Sequence, residues 1–152
     1  MNRRSFLATA ASGVTVGIAG CSNVFGSGLS ESDFDVGMRA SAFVPAEISV
    51  TVGDTLVWGN NNDRPHTVTA YEESIPADAA FFASGGFDSE SAARDGYNSD
   101  FTGAIDPGNT YEHTFEVPGS YSYFCVPHEI GGMAGTVEVR EATTDQSGTT
   151  DV

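Results

Sequence analysis

The sequence predicts an all-β sandwich with a short helical insertion, and three observations carry that expectation. Apolar and polar residues alternate over short runs, as in Ile48–Val52 and Thr110–Phe115, which is the two-residue period of a half-buried strand. Turn chemistry separates those runs: Gly53-Asp54, Asp106-Pro107-Gly108-Asn109 and Pro118-Gly119-Ser120. The chain also carries 18 Gly, 10 Phe and 5 Tyr, with many Val and Thr, a composition that suits strands and turns better than helices. Setting aside both ends leaves about 105 residues, enough for one sandwich core.

Residues 1–20 begin with Arg3-Arg4-Ser5-Phe6-Leu7 and continue into a weakly apolar run rich in Ala, Gly and Thr. They read as a twin-arginine-type targeting signal, too short and too interrupted for a good membrane span. Ile18-Ala19-Gly20-Cys21 resembles a lipobox, in which Cys21 becomes the lipidated first residue of the mature chain. Residues 21–33 are rich in Ser, Gly and Asn and read as a flexible linker. The folded domain is expected at 34–140 and a disordered tail at 141–152.

Within the domain, strands are expected over Phe34–Met38, Ile48–Val52 and Thr55–Trp58, with Pro45 at a strand entry or sheet edge and Trp58 in the core. Asn60–Asp63 breaks the pattern as a loop, and His66–Tyr71 reads as the next strand. Residues 72–109 are mixed. Pro76–Ala83 suggests a helical turn, and Ser89–Asp95 a short helix with Ser89 at its N-cap and Glu90 in its first turn. Phe81, Phe82, Phe87 and Phe101 must either cover one end of the sandwich or form an exposed docking surface. Asp106–Asn109 suits a type II turn, and alternation after it puts His113 on the face of Tyr111 and Phe115. A strand through Tyr121–Tyr123 runs into a loop, and a strand over Gly135–Val139 leaves it.

That loop carries the chemistry. It reads Cys125-Val126-Pro127-His128-Glu129-Ile130-Gly131-Gly132-Met133, a thiol, an imidazole and a thioether in the order Cys-x2-His-x4-Met. A second imidazole, His66, stands far upstream. A thiolate and a thioether are soft donors and imidazole is intermediate, so the set suits copper in both oxidation states. A rigid site between the preferences of Cu(I) and Cu(II) changes little when an electron arrives. The two cysteines each have a local explanation, so no disulfide between Cys21 and Cys125 is expected.

With these residues in view, the chain resembles the blue (type 1) copper proteins of the cupredoxin family, and within it the halocyanins, the plastocyanin-like proteins of halophilic archaea. Cys125, His128 and Met133 have the family's loop spacing, and Phe43–Asn60 resembles the strand pair before the first copper histidine, His66. The resemblance covers roughly Phe34 to Arg140 and implies a Greek-key β-sandwich, cupredoxin-like, holding one copper ion. It implies ligation by His66, Cys125, His128 and Met133, with a hydrogen bond from the Thr67 N–H to the ligand sulfur. It further implies that Pro127, Ile130, Gly131, Gly132 and Ala134 ring a patch where the His128 edge meets solvent and redox partners dock. Glu129 interrupts that patch, either favouring a basic partner or raising the basicity of His128. Phe124 stands where plant-type plastocyanins carry a Tyr, which speaks against a second electron route through a phenol.

The charge sharpens the function classes. There are 21 acidic residues against 6 basic ones, all Arg. Loss of Arg3 and Arg4 with the signal takes the formal charge from −15 to about −17. Such a surface repels nucleic acid and suits either salt adaptation or steering towards a basic partner. At molar salt the screening length is about 3 Å, which favours the former. The expected function is electron transfer by copper cycling Cu(I)/Cu(II), in a monomer lipid-anchored at the outer face of the cell membrane. Its partners would be a redox donor and acceptor, with membrane respiratory complexes among the candidates. A copper-delivery module without redox duty is the alternative, and a metal-free adhesion sandwich a third. An enzyme is not expected, because the donor set leaves no open position and no acid–base constellation stands near it.

Overall fold

Strand alternation resolves into two four-stranded sheets in the computed structural model, which describes residues 29–142. The strands are β1 (Val36–Met38), β2 (Phe43–Val44), β3 (Glu47–Thr51), β4 (Thr55–Gly59), β5 (Thr69–Ala70), β6 (Thr110–Thr114), β7 (Gly119–Phe124) and β8 (Ala134–Arg140). One sheet runs β2-β1-β4-β6 and the other β3-β8-β7-β5. Each is mixed: β1 pairs parallel with β4 and β3 parallel with β8, and the other neighbours are antiparallel. The expected signal at 1–20, Cys21, most of the expected linker and the expected tail from residue 143 lie outside the described residues. The last linker positions form a single 3-10 turn, Glu31–Asp33, with the Ser30 N–H donating to the Asp33 carboxylate at 2.9 Å.

The core lies between the sheets. From β4, Leu56 and Trp58 point inward while Thr55 faces solvent; from β7, Tyr121 and Tyr123 point inward while Ser120 faces solvent. Trp58 meets Tyr123 of the opposite sheet edge-on, with ring centroids 5.4 Å apart, and Phe43 packs on the same tyrosine at 4.7 Å. Phe115 and Phe82 close the aromatic cluster around Trp58. His113 lies half-buried and stacked on Phe82, on the face that alternation assigns it.

The segment between β5 and β6 departs from the sequence reading. The strand expected over His66–Tyr71 is only Thr69–Ala70. His66 instead forms an isolated bridge to Ile105, its N–H donating at 3.2 Å and its carbonyl accepting at 2.7 Å. The helical turn expected at Pro76–Ala83 is absent beyond one Ala79-to-Pro76 hydrogen bond. Phe82–Ser84 runs extended beside Val68–Ala70, because the open edge of β5 offers backbone groups that a local helix would leave unpaired. The expected helix exists and is longer: α1 spans Glu90–Asp100, with the Ser89 Oγ accepting from the Ala92 N–H at 3.1 Å. It passes through Gly96, where a Cβ would collide with the Phe87 ring, so this glycine lets Phe87 seat under the helix. Of the four phenylalanines, Phe82 is in the core, Phe81 and Phe87 are half-buried, and Phe101 is 68% exposed. The Asp106–Asn109 turn forms as expected, with Gly108 at φ 89° and the Asn109 N–H donating to Asp106 at 3.0 Å.

Candidate metal centre

Donors from two distant segments meet at one end of the sandwich. Cys125 follows β7, and His128 lies in the 3-10 turn Val126–Gly131 that comes next. His66 arrives from the other side, held by its backbone bridge to Ile105. The Cys125 Sγ is 3.7 Å from His66 Nδ1 and 3.4 Å from His128 Nδ1, and the three ligand atoms all lie within 4.8 Å of one another. Cys125, His66 and Met133 are fully buried, and His128 is partly exposed.

The loop is tied through the backbones of its own donors. The Cys125 N–H donates to the Met133 carbonyl at 3.0 Å, the Met133 N–H to His128 at 3.2 Å, and the His128 N–H to Cys125 at 3.2 Å. Thr67, next to His66, clamps the sulfur from the far side. Its N–H donates to Cys125 Sγ at 3.3 Å and its Oγ1 accepts from the Val126 N–H at 2.8 Å.

This arrangement fits a soft metal ion. Metal–sulfur and metal–nitrogen bonds of about 2.3 and 2.0 Å in a trigonal plane set sulfur and nitrogen about 3.7 Å apart, and the two sulfur–nitrogen separations here sit near that value. Burial pushes the Cys125 thiol up, partly offset by the Thr67 N–H, so metal loading releases a proton. Burial, then the charge of His128 and of Arg64, holds His66 down at about 4; burial, then Arg64, lowers His128. Both imidazoles are therefore neutral at pH 7, with a lone pair free to bind metal.

Acid should destabilise the metal-free protein through His66. The folded His66 value lies below its ordinary 6.5, so the unfolded chain takes up this proton more readily. The contribution of neutral His66 is fully present above pH 6.5 and falls as pH drops towards about 4, a loss on the order of 3 kcal/mol. Urea unfolding at several pH values, with His66→Gln as reference, should show the wild type losing more stability on acidification. Parallel curves would contradict burial of a neutral His66.

Beside the donors stands a polar cluster that sequence reasoning missed. Phe124 is buried although it faces away from the core. Tyr71 stacks on it with centroids 4.4 Å apart, and the Arg94 guanidinium of α1 lies 4.3 Å from its ring centre. Glu129 does not serve His128: its carboxylate accepts from Arg94 at 2.7 Å and from the Tyr71 hydroxyl at 2.7 Å. The Arg94 hydrogen bond, foremost, holds Glu129 below the usual carboxylate range, while burial and then Glu129 push Tyr71 up to about 12. Glu90 and Arg94 stand one helical turn apart, which signals a helix, but nothing local signals that the Arg would reach residue 129.

The family model for copper binding proteins of the plastocyanin/azurin family matches residues 31–140. The chain belongs to that family. Chloroplastic plastocyanin of Tetradesmus obliquus is 30% identical over 125 residues, covering 82% of this chain and 77% of its own. Plastocyanin of Mercurialis perennis is 38% identical over 98 residues, covering 64% and 87%. Among solved structures, an oxidised amicyanin mutant matches with a TM-score of 0.52 at 22% identity, covering 74% of this chain and 86% of that one, which is a likeness of fold. The β-sandwich and the copper cofactor expected from the residues agree with this family, and the His66, Cys125 and His128 group, with Met133 buried nearby, suits one type 1 ion.

Proposed function

We propose that the protein is a blue copper electron carrier of the halocyanin kind, with His66, Cys125, His128 and Met133 holding one ion. The observation that carries this reading is one sulfur and two imidazole nitrogens within 4.8 Å of one another at a buried site. Copper bound there supplies a one-electron Cu(I)/Cu(II) couple.

The chain's own residues do the rest. With an ion bound, Cys125 would be its dominant donor and Met133 a weak one that helps set potential. The Thr67 N–H steadies the sulfur, and the backbone bonds among Cys125, His128 and Met133 keep the donors fixed when charge changes. Burial of three of the four donors excludes water. The partly exposed His128 would be the route by which an electron reaches a bound ion, and the exposed Pro127, Ile130, Gly131, Gly132 and Ala134 around it would receive the partner. With every position taken by a protein donor, no substrate position remains, so the protein is read as a carrier and not an enzyme.

The address is part of the same proposal. The twin-arginine-type signal suits export of a folded domain, and the lipobox suits tethering through Cys21 at the outer face of the cell membrane. No helix among the described residues is long and apolar enough to cross a membrane. We read the acidic surface as salt adaptation, the protein as a monomer, and its donor and acceptor as redox proteins, membrane respiratory complexes among them. The copper-loaded protein should show intense visible absorption when oxidised and a reversible one-electron wave at an electrode. A colourless oxidised protein defeats the reading, and bound copper without a wave leaves a delivery module.

A further inference from the structure

The insertion between β5 and β6 reaches the ligand loop through one side chain. Arg94 of α1 is held by Glu90 one turn earlier, at 2.7 and 3.0 Å. On its other side it forks onto Glu129 of the loop, Nη1 to Oε1 at 2.7 Å and Nη2 to Oε2 at 3.3 Å. The Tyr71 hydroxyl donates to the same carboxylate at 2.7 Å. Glu72 and Glu90 close the far end by exchange: the Glu72 N–H donates to the Glu90 carboxylate at 2.9 Å, and the Glu90 N–H to that of Glu72 at 3.0 Å. The start of α1 is thereby bound to the 3-10 turn Glu72–Ser74, directly after Tyr71.

What this network holds is specific. Glu129 adjoins His128, and Phe124, which lies under both Arg94 and Tyr71, adjoins Cys125. The loop itself is poorly restrained on its outer side. Pro127, Ile130, Gly131 and Gly132 are exposed, and the two consecutive glycines add freedom that must be lost on ordering. A lone exposed ion pair would contribute little. Here, however, a planar fork, a hydroxyl and an aromatic stack share three neighbouring elements, and such networks rigidify what they connect.

We infer that Arg94 is a positioning residue for the metal ligands. Through Glu129 and Phe124 it holds the backbone beside His128 and Cys125 in place before any ion arrives. This gives the insertion a role: it is the outer brace of the ligand loop. The purpose of the brace rests on the copper reading above; its geometry does not.

The test uses the full chain, metal-free and copper-loaded, with Arg94→Met, which keeps an apolar stem over Phe124 and removes the fork. In the metal-free variant, amide hydrogen exchange at Val126 and His128–Met133 should quicken at least about tenfold, while β3 and β8 stay within about twofold of wild type. Loss of Cu(II) to a chelator should also quicken about tenfold, and Arg94→Lys should recover only part of either effect. Loop exchange within about twofold of wild type overturns the inference, as does an equal rise across all strands, which marks general destabilisation. If Arg94→Met does not fold, Tyr71→Phe removes only the hydroxyl contact. A rise of about threefold confined to the loop then supports the brace, and no change overturns it. A wild type that binds no copper defeats the electron-carrier proposal and leaves the metal-free exchange result standing. A blue wild type with an unchanged loop in the variant defeats the brace alone.

Discussion

Cys125→Ser is expected to give a folded protein that is colourless and binds copper weakly. Cys125 is the only donor among the described residues at the site that can become a soft anion; the others are two imidazoles and the uncharged thioether of Met133. A serine hydroxyl at neutral pH stays protonated and hard, so it neither charges nor softens the site. Losing an outer partner of a metal ligand typically costs roughly 10–100-fold in affinity, and losing the main ligand should cost more than that. The fold should survive, because Ser is slightly smaller than Cys and its oxygen can still accept the Thr67 N–H now given to sulfur at 3.3 Å. Stability of the metal-free protein should therefore change by about 1 kcal/mol. Visible spectra, copper titration and urea unfolding of the same sample check all three statements. An intense blue band surviving in Cys125→Ser would mean that another group makes the colour.

Trp58→Ala is expected to be the most damaging single change to the fold. Trp58 is fully buried and touches both sheets, with Tyr111 and Phe115 at 5.6 and 6.5 Å on one side and Tyr123 at 5.4 Å across the core. Truncation removes one of the largest buried side chains and leaves a cavity that aromatic neighbours cannot close, at a cost of about 3–5 kcal/mol. Small domains hold only about 5–15 kcal/mol in total, so the metal-free variant should be partly unfolded at room temperature and regain structure on metal loading. Trp58→Phe should cost much less. It keeps most ring contacts and removes an indole N–H that is buried without a hydrogen-bond partner among the described residues. Equal losses for Ala and Phe would show that ring packing is not what Trp58 contributes.

Much of the fold was legible because its signals are local. Alternation marks β3, β4, β6 and β7; Ser89 marks the start of α1; Asp106–Asn109 marks its turn. The errors fall where tertiary pairing overrides a local preference. The strand expected over His66–Tyr71 shrank to two residues, because His66 pairs with Ile105 and not with a neighbouring strand. Pro76–Ala83 reads as a turn of helix, yet Phe82 and Ala83 are drawn out along β5. Phe124 breaks the alternation of β7, being buried on the outward face, because Tyr71 and Arg94 cover it there.

Which side chains can bind a soft metal, and in what order they come, is written locally in the chain, since donor chemistry and loop spacing are properties of residues and of short chain segments. The same local signals mark β3, β4, β6 and β7, the Asp106–Asn109 turn and the central tryptophan. Folding in three dimensions brings His66 to Cys125 across 59 positions, turns the Thr67 N–H to the sulfur, and lets Arg94 span 35 positions to take Glu129 away from His128. Those contacts depend on sheet register and on where a helix packs, and no local run of residues encodes either one.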